Sequence, residues 1–454
     1  MTSAAKKSRK LRALIQLLND ASEVVITEWE AQDLKNAKDE GRTNDEGLVP
    51  SAALYEARRT ILGACGMCSD LVQEPGSRLM EVSNQYYISR ALYVAAEARV
   101  ANILADADPT TTGVPIEDIS AKVNIQAHKL LRVLRVLCSV HIFAEVRDRH
   151  FANNPTSQYL CREPLRCWVL LHGTELYAAS TKLPAVLFDP VKTHSFSPRE
   201  TAFQESKGTA KTFWEYLEEG EEQPDGTVKP RRMVEIFNLA MVGGGRTHSA
   251  SLYADFPWEA LGECTIVDVG GGVGGMSLDL AKRFPKLRFI VQDVPAVIRQ
   301  AEAVWLRGCP GAIETKRTQL MGHDFFTAQP VKGADVYLMR SILHDWPDDE
   351  CVAILTELRK AMAPHSRILS TDQAINTTVG SPHLKRAPAP LPANYGYAHQ
   401  MAGIRDMNMM TMFNGMERTP QDFSALAERA GLRVVKVWEG RGLYAITEMG
   451  WTDR

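Results

Sequence analysis

The stretch 267–276 reads Val-Asp-Val-Gly-Gly-Gly-Val-Gly-Gly-Met, and it constrains the fold more than any other part of the chain. The run 264–269 is short, apolar and rich in β-branched residues, which suits a buried parallel strand, while 276–284 resumes with helical spacing. Strand, glycine turn and helix in that order open a βαβ unit. Gly270, Gly271, Gly272, Gly274 and Gly275 omit Cβ atoms where the backbone must turn sharply and lie against a ligand. Residues 287–291 form a second strand. Asp293 at its end stands about twenty residues past the glycines, where a carboxylate accepts hydrogen bonds from ribose hydroxyls. The stretch therefore suits an adenosine-containing ligand and puts the chemistry in the C-terminal half.

By itself the glycine turn leaves two cofactor classes open. Gly270, Gly272 and Gly275 satisfy the G-x-G-x-x-G spacing of dinucleotide sites. Gly270, Gly272 and Gly274, with Asp268 two residues ahead, equally satisfy the acidic-x-G-x-G-x-G spacing of S-adenosylmethionine sites. Downstream, 334–339 reads as a further strand, followed by Arg340-Ser-Ile-Leu-His344-Asp345-Trp346-Pro347 and the acids Asp348, Asp349 and Glu350. Pro347 and those acids suit the first turn of a helix that ends in Arg359 and Lys360. His344 is thereby placed on a loop at the carboxyl edge of the sheet, where such folds put ligands. A histidine there titrates near neutrality and suits a general base.

Together these segments, with Gln292-Asp293-Val294-Pro295, His323-Asp324-Phe325-Phe326 and Gly415-Met416-Glu417-Arg418-Thr419, resemble the plant and fungal small-molecule O-methyltransferases of the caffeic acid type. The resemblance runs through the whole C-terminal half. It implies S-adenosylmethionine held by Gly270, Gly271, Gly272, Gly274 and Asp293, adenine contacts at Asp324 and Phe325, and Arg340 near the cofactor carboxylate. It implies His344 as the base, oriented by Asp372, where plant members usually carry glutamate, and by Glu417. Methyl transfer from a sulfonium is an in-line displacement that needs alignment and removal of one proton, and no metal is expected. A pericyclase on the same fold, binding the cofactor without consuming it, is the competing expectation.

At 454 residues, two or three units are expected. A hydrophobic share of 45%, a charged share of 24% and a net charge of −3 describe a globular chain and argue against a dominant nucleic-acid or membrane-surface role. No apolar run is long enough to span a membrane. The basic start at Lys6, Lys7, Arg9 and Lys10 precedes not a signal peptide but an amphipathic helix with Leu11, Leu14, Ile15 and Leu18 on one face and Asp20 ending the apolar run, so a cytoplasmic enzyme is expected. Cys65 and Cys68 form the only C-x-x-C and read as thiols in a loop or helix turn. Residues 33–50 read as a solvated linker, and 381–392, with four prolines, as an excursion between sheet elements.

Residues 116–123 and 127–140 read as two helices and 142–159 as a β-ribbon, a winged-helix pattern. Lys129, Arg132 and Arg135 on the second helix raise DNA binding as an alternative, but the apolar surface of that helix favours burial. The resemblance implies an intertwined homodimer built on this region. Segments 214–217 and 237–241, and the methionines 401, 407, 409, 410, 412 and 416, suit a pocket for a flat aromatic or polyketide-like acceptor, because thioethers adapt to varied ligands. The expected architecture is α/β: a mostly α, winged-helix dimerisation region over 1–185, then a Rossmann-like methyltransferase sheet over 186–454. Strands at 432–438 and 443–447 should close that sheet as an antiparallel hairpin.

Overall fold

The structure, a computed structural model, describes residues 2–36, 49–107 and 113–452; most of the expected linker lies outside the described residues. By compactness the chain divides into two units. One comprises 1–72, 195–198 and 248–454, the other 73–194 and 199–247. The first 72 residues therefore group with the C-terminal sheet and not with the segment that follows them.

The first unit is built on seven strands, β1 (Cys264–Val269), β2 (Leu287–Asp293), β3 (Thr318–Gly322), β4 (Val336–Arg340), β5 (Arg367–Asp372), β6 (Leu432–Glu439) and β7 (Ala445–Trp451). Their order across the sheet is β3-β2-β1-β4-β5-β7-β6. The first five run parallel, with Asp268 opposite Val291 and Thr371 opposite Arg340. β7 enters antiparallel, with Asp372 opposite Ala445, and β6 pairs beside it. The central strands are apolar on both faces because helices cover both. Ile266, Leu338 and Leu369 point into one core with Trp258 and Trp305, and Val267, Tyr337 and Ile368 into another with Leu355 and Phe423. Parallel pairing brings Gly270, Asp293, Arg340 and Asp372 to one edge. The last hairpin strand starts later and runs longer than 443–447, pairing along its length with β5 and β6, and the Asp255 carboxylate holds the turn before it: Oδ2 accepts from the Arg441 N–H at 2.6 Å and Oδ1 from its Nε at 2.8 Å.

Helices α1 (Ser3–Asn36) and α2 (Ala52–Val72) form a hairpin in the same unit. Leu14 and Ala64 are buried with Ala387 and Leu391 of the proline-rich excursion and with Tyr395 just after it. The Arg59 guanidinium lies 3.9 Å from the Tyr395 ring centroid, and the Tyr395 hydroxyl donates to Glu56. Cys65 and Cys68 sit on α2. The expected face of α1 is corrected in two ways: Ile15 is exposed while Leu17 turns inward, and the helix continues past Asp20, which lies on its exposed side.

The second unit has the winged-helix arrangement. Helices Ile116–Val123 and Ala127–Ser139 pack beside a three-stranded antiparallel sheet of Val114–Pro115, Phe143–Arg147 and His150–Asn153. Leu130, Leu131, Leu134 and Leu137 are buried around Phe143 and Phe151. The ribbon is shorter than 142–159, since Asn154 accepts from the Ser157 N–H, and Pro155 opens a short helix. Arg135 is tied to Glu145 at 2.7 Å and Asp148 at 2.8 Å, which removes one of the three cations a DNA-reading helix would use. Phe213, Trp214 and Phe237 form an aromatic cluster, with Trp214 and Phe237 centroids 5.7 Å apart. No helix among the described residues is long and apolar enough to cross a membrane.

Candidate active site

The glycine turn leaves β1 with positive φ at Gly270, Gly272 and Gly274 (68°, 61° and 80°), a conformation that side chains resist. A Cβ on Gly272 would meet no heavy atom within 4 Å, so the turn is open at that residue, whereas a Cβ on Gly270 would strike Ile342 and one on Gly274 would strike Trp305. The Gly272 N–H donates to Asp293 Oδ2 and the Val294 N–H to Oδ1, each at 2.8 Å. These bonds fix the carboxylate plane and leave further lone pairs on both oxygens. Burial raises the Asp293 carboxyl while those two amides oppose the rise. Asp268 is fully buried, bonded to the Ser277 hydroxyl, and pushed up to about 6 by burial. An open glycine cradle beside a fixed carboxylate fits the adenosine and ribose of S-adenosylmethionine. Phe325 lies against the turn, since a Cβ on Gly270 would come within 3.3 Å of its ring. The Asp324 carboxylate accepts from the Phe326 N–H at 3.0 Å, and Arg340 donates to Ser249 at 3.0 Å.

His344 sits on a short 3-10 turn, Leu343–Asp345, after β4. Its Nδ1 lies 3.0 Å from Glu417 Oε1, and its Nε2 lies 3.4 Å from Asp345 Oδ1. An ionised glutamate only accepts, so Nδ1 carries a proton and Nε2 is the atom free to gain or lose one. Burial acts to lower the imidazole, but the Asp345 and Glu417 charges outweigh it and push it up to about 10. Burial raises Asp345 to about 6 despite the imidazole beside it. Burial likewise opposes ionisation of Glu417, yet His344 and Arg405 hold it below the usual glutamate range.

A second segment clasps this turn. The Met416 N–H donates to His344 O at 3.0 Å, and a Cβ on Gly415 would lie 2.1 Å from that same oxygen, so only glycine fits there. Arg418, buried, donates from Nη1 to Leu343 O at 2.5 Å and from Nη2 to Trp346 O at 2.9 Å and Asp348 Oδ1 at 2.7 Å. One planar guanidinium therefore bridges the carbonyls on both sides of His344.

The expected pair of orienting acids divides. Glu417 bonds the imidazole, whereas Asp372 accepts from Ser370, two residues back on the same face of β5, and its Oδ1 has no partner. Three residues of the site were not singled out in the sequence. Asp345 was hidden by adjacency, Arg418 stood unremarked inside a quoted motif, and Arg405, whose Nε is 3.4 Å from Glu417 Oε1, carried no signal. The methionines also divide: Met409 and Met412 are buried, Met401 and Met407 exposed.

A family profile described as the O-methyltransferase domain matches residues 250–433, and one described as the O-methyltransferase dimerisation domain matches 80–163. O-methyltransferase gedA of Aspergillus terreus and O-methyltransferase tpcA of Aspergillus fumigatus are each 43% identical over 95% of this chain and 94% of their own length. Among solved structures, the mitomycin 7-O-methyltransferase MmcR is 25% identical with a TM-score of 0.64, covering 83% of this chain and 98% of that one. A structure described as a pericyclic reaction enzyme shares the fold at 22% identity, TM-score 0.66, covering 87% and 95%.

Proposed function

We propose, for a chain that belongs to the S-adenosylmethionine-dependent O-methyltransferase family, that it methylates a hydroxyl of a flat phenolic or enolic small molecule of polyketide type. The observation that carries the chemical reading is the Glu417–His344 contact, which commits Nδ1 and leaves Nε2 as proton acceptor at the edge where the glycine cradle lies. In this reading Gly270, Gly271, Gly272, Gly274, Asp293, Asp324, Phe325 and Arg340 hold the cofactor. When bound, the cofactor supplies an electrophilic methyl group on a sulfonium. Glu417 orients the base, and Asp372 and Asp345 add negative charge around it. The hydroxyl would replace the loose Asp345 contact at Nε2. A phenol near pKa 10 loses its proton to an ordinary histidine only against a roughly thousandfold gradient, and raising the imidazole to about 10 removes that gradient. Pairing through the dimerisation region within 1–185, chemistry within 186–454, and a cytoplasmic site of action complete the proposal.

The raised imidazole has a consequence for pH dependence. Below about 10 the charged form dominates, so the free base grows with pH, and kcat/KM should climb from neutrality into the alkaline range. Glu417→Gln removes a charge that raises the imidazole, so the climb should start at lower pH. A profile flat from about pH 7 to 9, or one unmoved by Glu417→Gln, would count against His344 as the base.

The same protonation favours one competing reading. An imidazolium at Nε2 is a hydrogen-bond donor, and a fold shared with a pericyclic reaction enzyme can use a donor and a bound sulfonium without transferring anything. Incubation with methyl-labelled cofactor and a panel of aromatic polyketides and phenols separates the two. Labelled ether and S-adenosylhomocysteine are expected; an isomerised ligand with no S-adenosylhomocysteine would sink methyl transfer.

A further inference from the structure

The helix Gln400–Phe413 grips the orienting glutamate twice. Arg405 Nε lies 3.4 Å from Glu417 Oε1, the oxygen that also faces His344 Nδ1 at 3.0 Å. On the next residue, Asp406 Oδ1 accepts from the Glu417 N–H at 2.9 Å. Glu417 has little else to hold it: its side chain is fully buried, and among the described residues Oε2 has no hydrogen-bond partner. A buried carboxylate stays ionised only when cations or donors stand against it, and here the imidazole and the guanidinium share one oxygen. Arg418, next along the chain, makes its hydrogen bonds elsewhere, to Leu343 O, Trp346 O, Met416 O and Asp348.

Arg405 is itself set in place. Its side chain is 14% exposed, Nη1 donates to the Tyr444 hydroxyl at 3.5 Å, and the guanidinium carbon lies 5.6 Å from the Tyr444 ring centroid, as does that of Arg340. Burial would raise the Tyr444 phenol, but Arg405 and Arg340 beside it bring it below its ordinary value.

The charges around the imidazole give this cation a task. Three carboxylates act on His344: Asp345 at Nε2, Glu417 at Nδ1 and Asp372 from β5. Asp406 adds a further acid behind Glu417. Each acid strengthens the hold of the ring on its proton, and a ring that never gives up its proton cannot serve as a base. Arg405 is the arginine in contact with the carboxylate that meets Nδ1.

We propose that Arg405 is a positioning residue for the base: by sharing Glu417 Oε1 with the imidazole it fixes where Glu417 meets Nδ1 and limits how tightly His344 keeps its proton. This rests on the reading of His344 as the base and adds to it the device that keeps the base usable. The guanidinium draws charge density from Oε1, so Glu417 orients the ring without the full pull of an unshared carboxylate.

The test reads the ring directly and needs no acceptor. The full chain, carrying carbon-13 at the histidine Cε1 positions, is titrated by NMR, with the His344 signal identified by its loss in His344→Gln. Arg405→Met should leave the ring largely protonated at the pH where the parent is half titrated, the reverse of Glu417→Gln; a move of one pH unit cuts the neutral ring at a fixed pH about tenfold. Arg405→Gln, which keeps a donor without the charge, should move the titration the same way, and Arg405→Lys should stay near the parent. In the Glu417→Gln background Arg405→Met should move it less, since part of its action passes through that carboxylate. With a phenol that the parent methylates, the climb of kcat/KM with pH should start later in Arg405→Met while KM for the cofactor holds. A His344 midpoint that is unmoved or lower in the uncharged variants would overturn the proposal. Absence of methyl transfer by the parent would instead overturn the base reading, and the titration would still decide whether Arg405 governs the ring.

Discussion

His344→Ala should lower methyl transfer by roughly a hundredfold to ten-thousandfold while leaving cofactor binding near the parent level. Glu417 commits the imidazole Nδ1, so Nε2 is the atom left to exchange the acceptor's proton, and removing the ring touches neither the glycine turn nor Asp293. The residual rate should rise with pH as the acceptor ionises unaided. Asp293→Ala should do the reverse. It removes a carboxylate already fixed by two amides, and with it charge-assisted bonds to ribose worth about 1.5 to 3 kcal/mol, so cofactor affinity should fall about tenfold or more. Calorimetry with S-adenosylmethionine and single-turnover rates on both variants would check the division. If His344→Ala lost cofactor affinity, or Asp293→Ala bound it normally, the two roles would have to be exchanged or abandoned.

The clasp around the histidine turn should matter nearly as much, although none of it meets the reacting atoms. Gly415→Ala forces a methyl group to within 2.1 Å of His344 O, so the turn must shift, and a displacement of about 1 Å at a reacting group costs about a hundredfold in rate. Arg418→Met leaves Leu343 O and Trp346 O without their donor, at about 1 to 3 kcal/mol for each buried carbonyl, and leaves Asp348 unpaired. Both variants should lose kcat with little change in KM for the cofactor, because the cradle belongs to other loops. Arg418→Lys should recover little, since an ammonium cannot bridge two carbonyls as a planar fork does. A parent-like kcat in Gly415→Ala, or full rescue by lysine, would show that the clasp does not set the histidine's position.

Much of this protein follows from short-range order in its sequence. The glycine turn, the carboxylate after the second strand and the histidine loop each lie within one βα unit, where strand and helix periodicity dictate which end of the sheet a residue reaches. The antiparallel closing hairpin and the winged-helix unit were legible for the same reason. What the tertiary structure decided is which of these pieces meet. Glu417 and His344 are 73 residues apart, and no local pattern distinguishes Glu417 from Asp372 as the acid that bonds the imidazole. That choice is made by β5, whose alternation turns Asp372 toward Ser370, and by the clasp at 415–418, which carries Glu417 to Nδ1. The site of Arg405 and the docking of α1 and α2 on the proline-rich excursion were likewise invisible along the chain. A buried charge and an apolar helix face look alike in sequence wherever they go, and only the packed neighbours set the pKa of the one and the partner of the other.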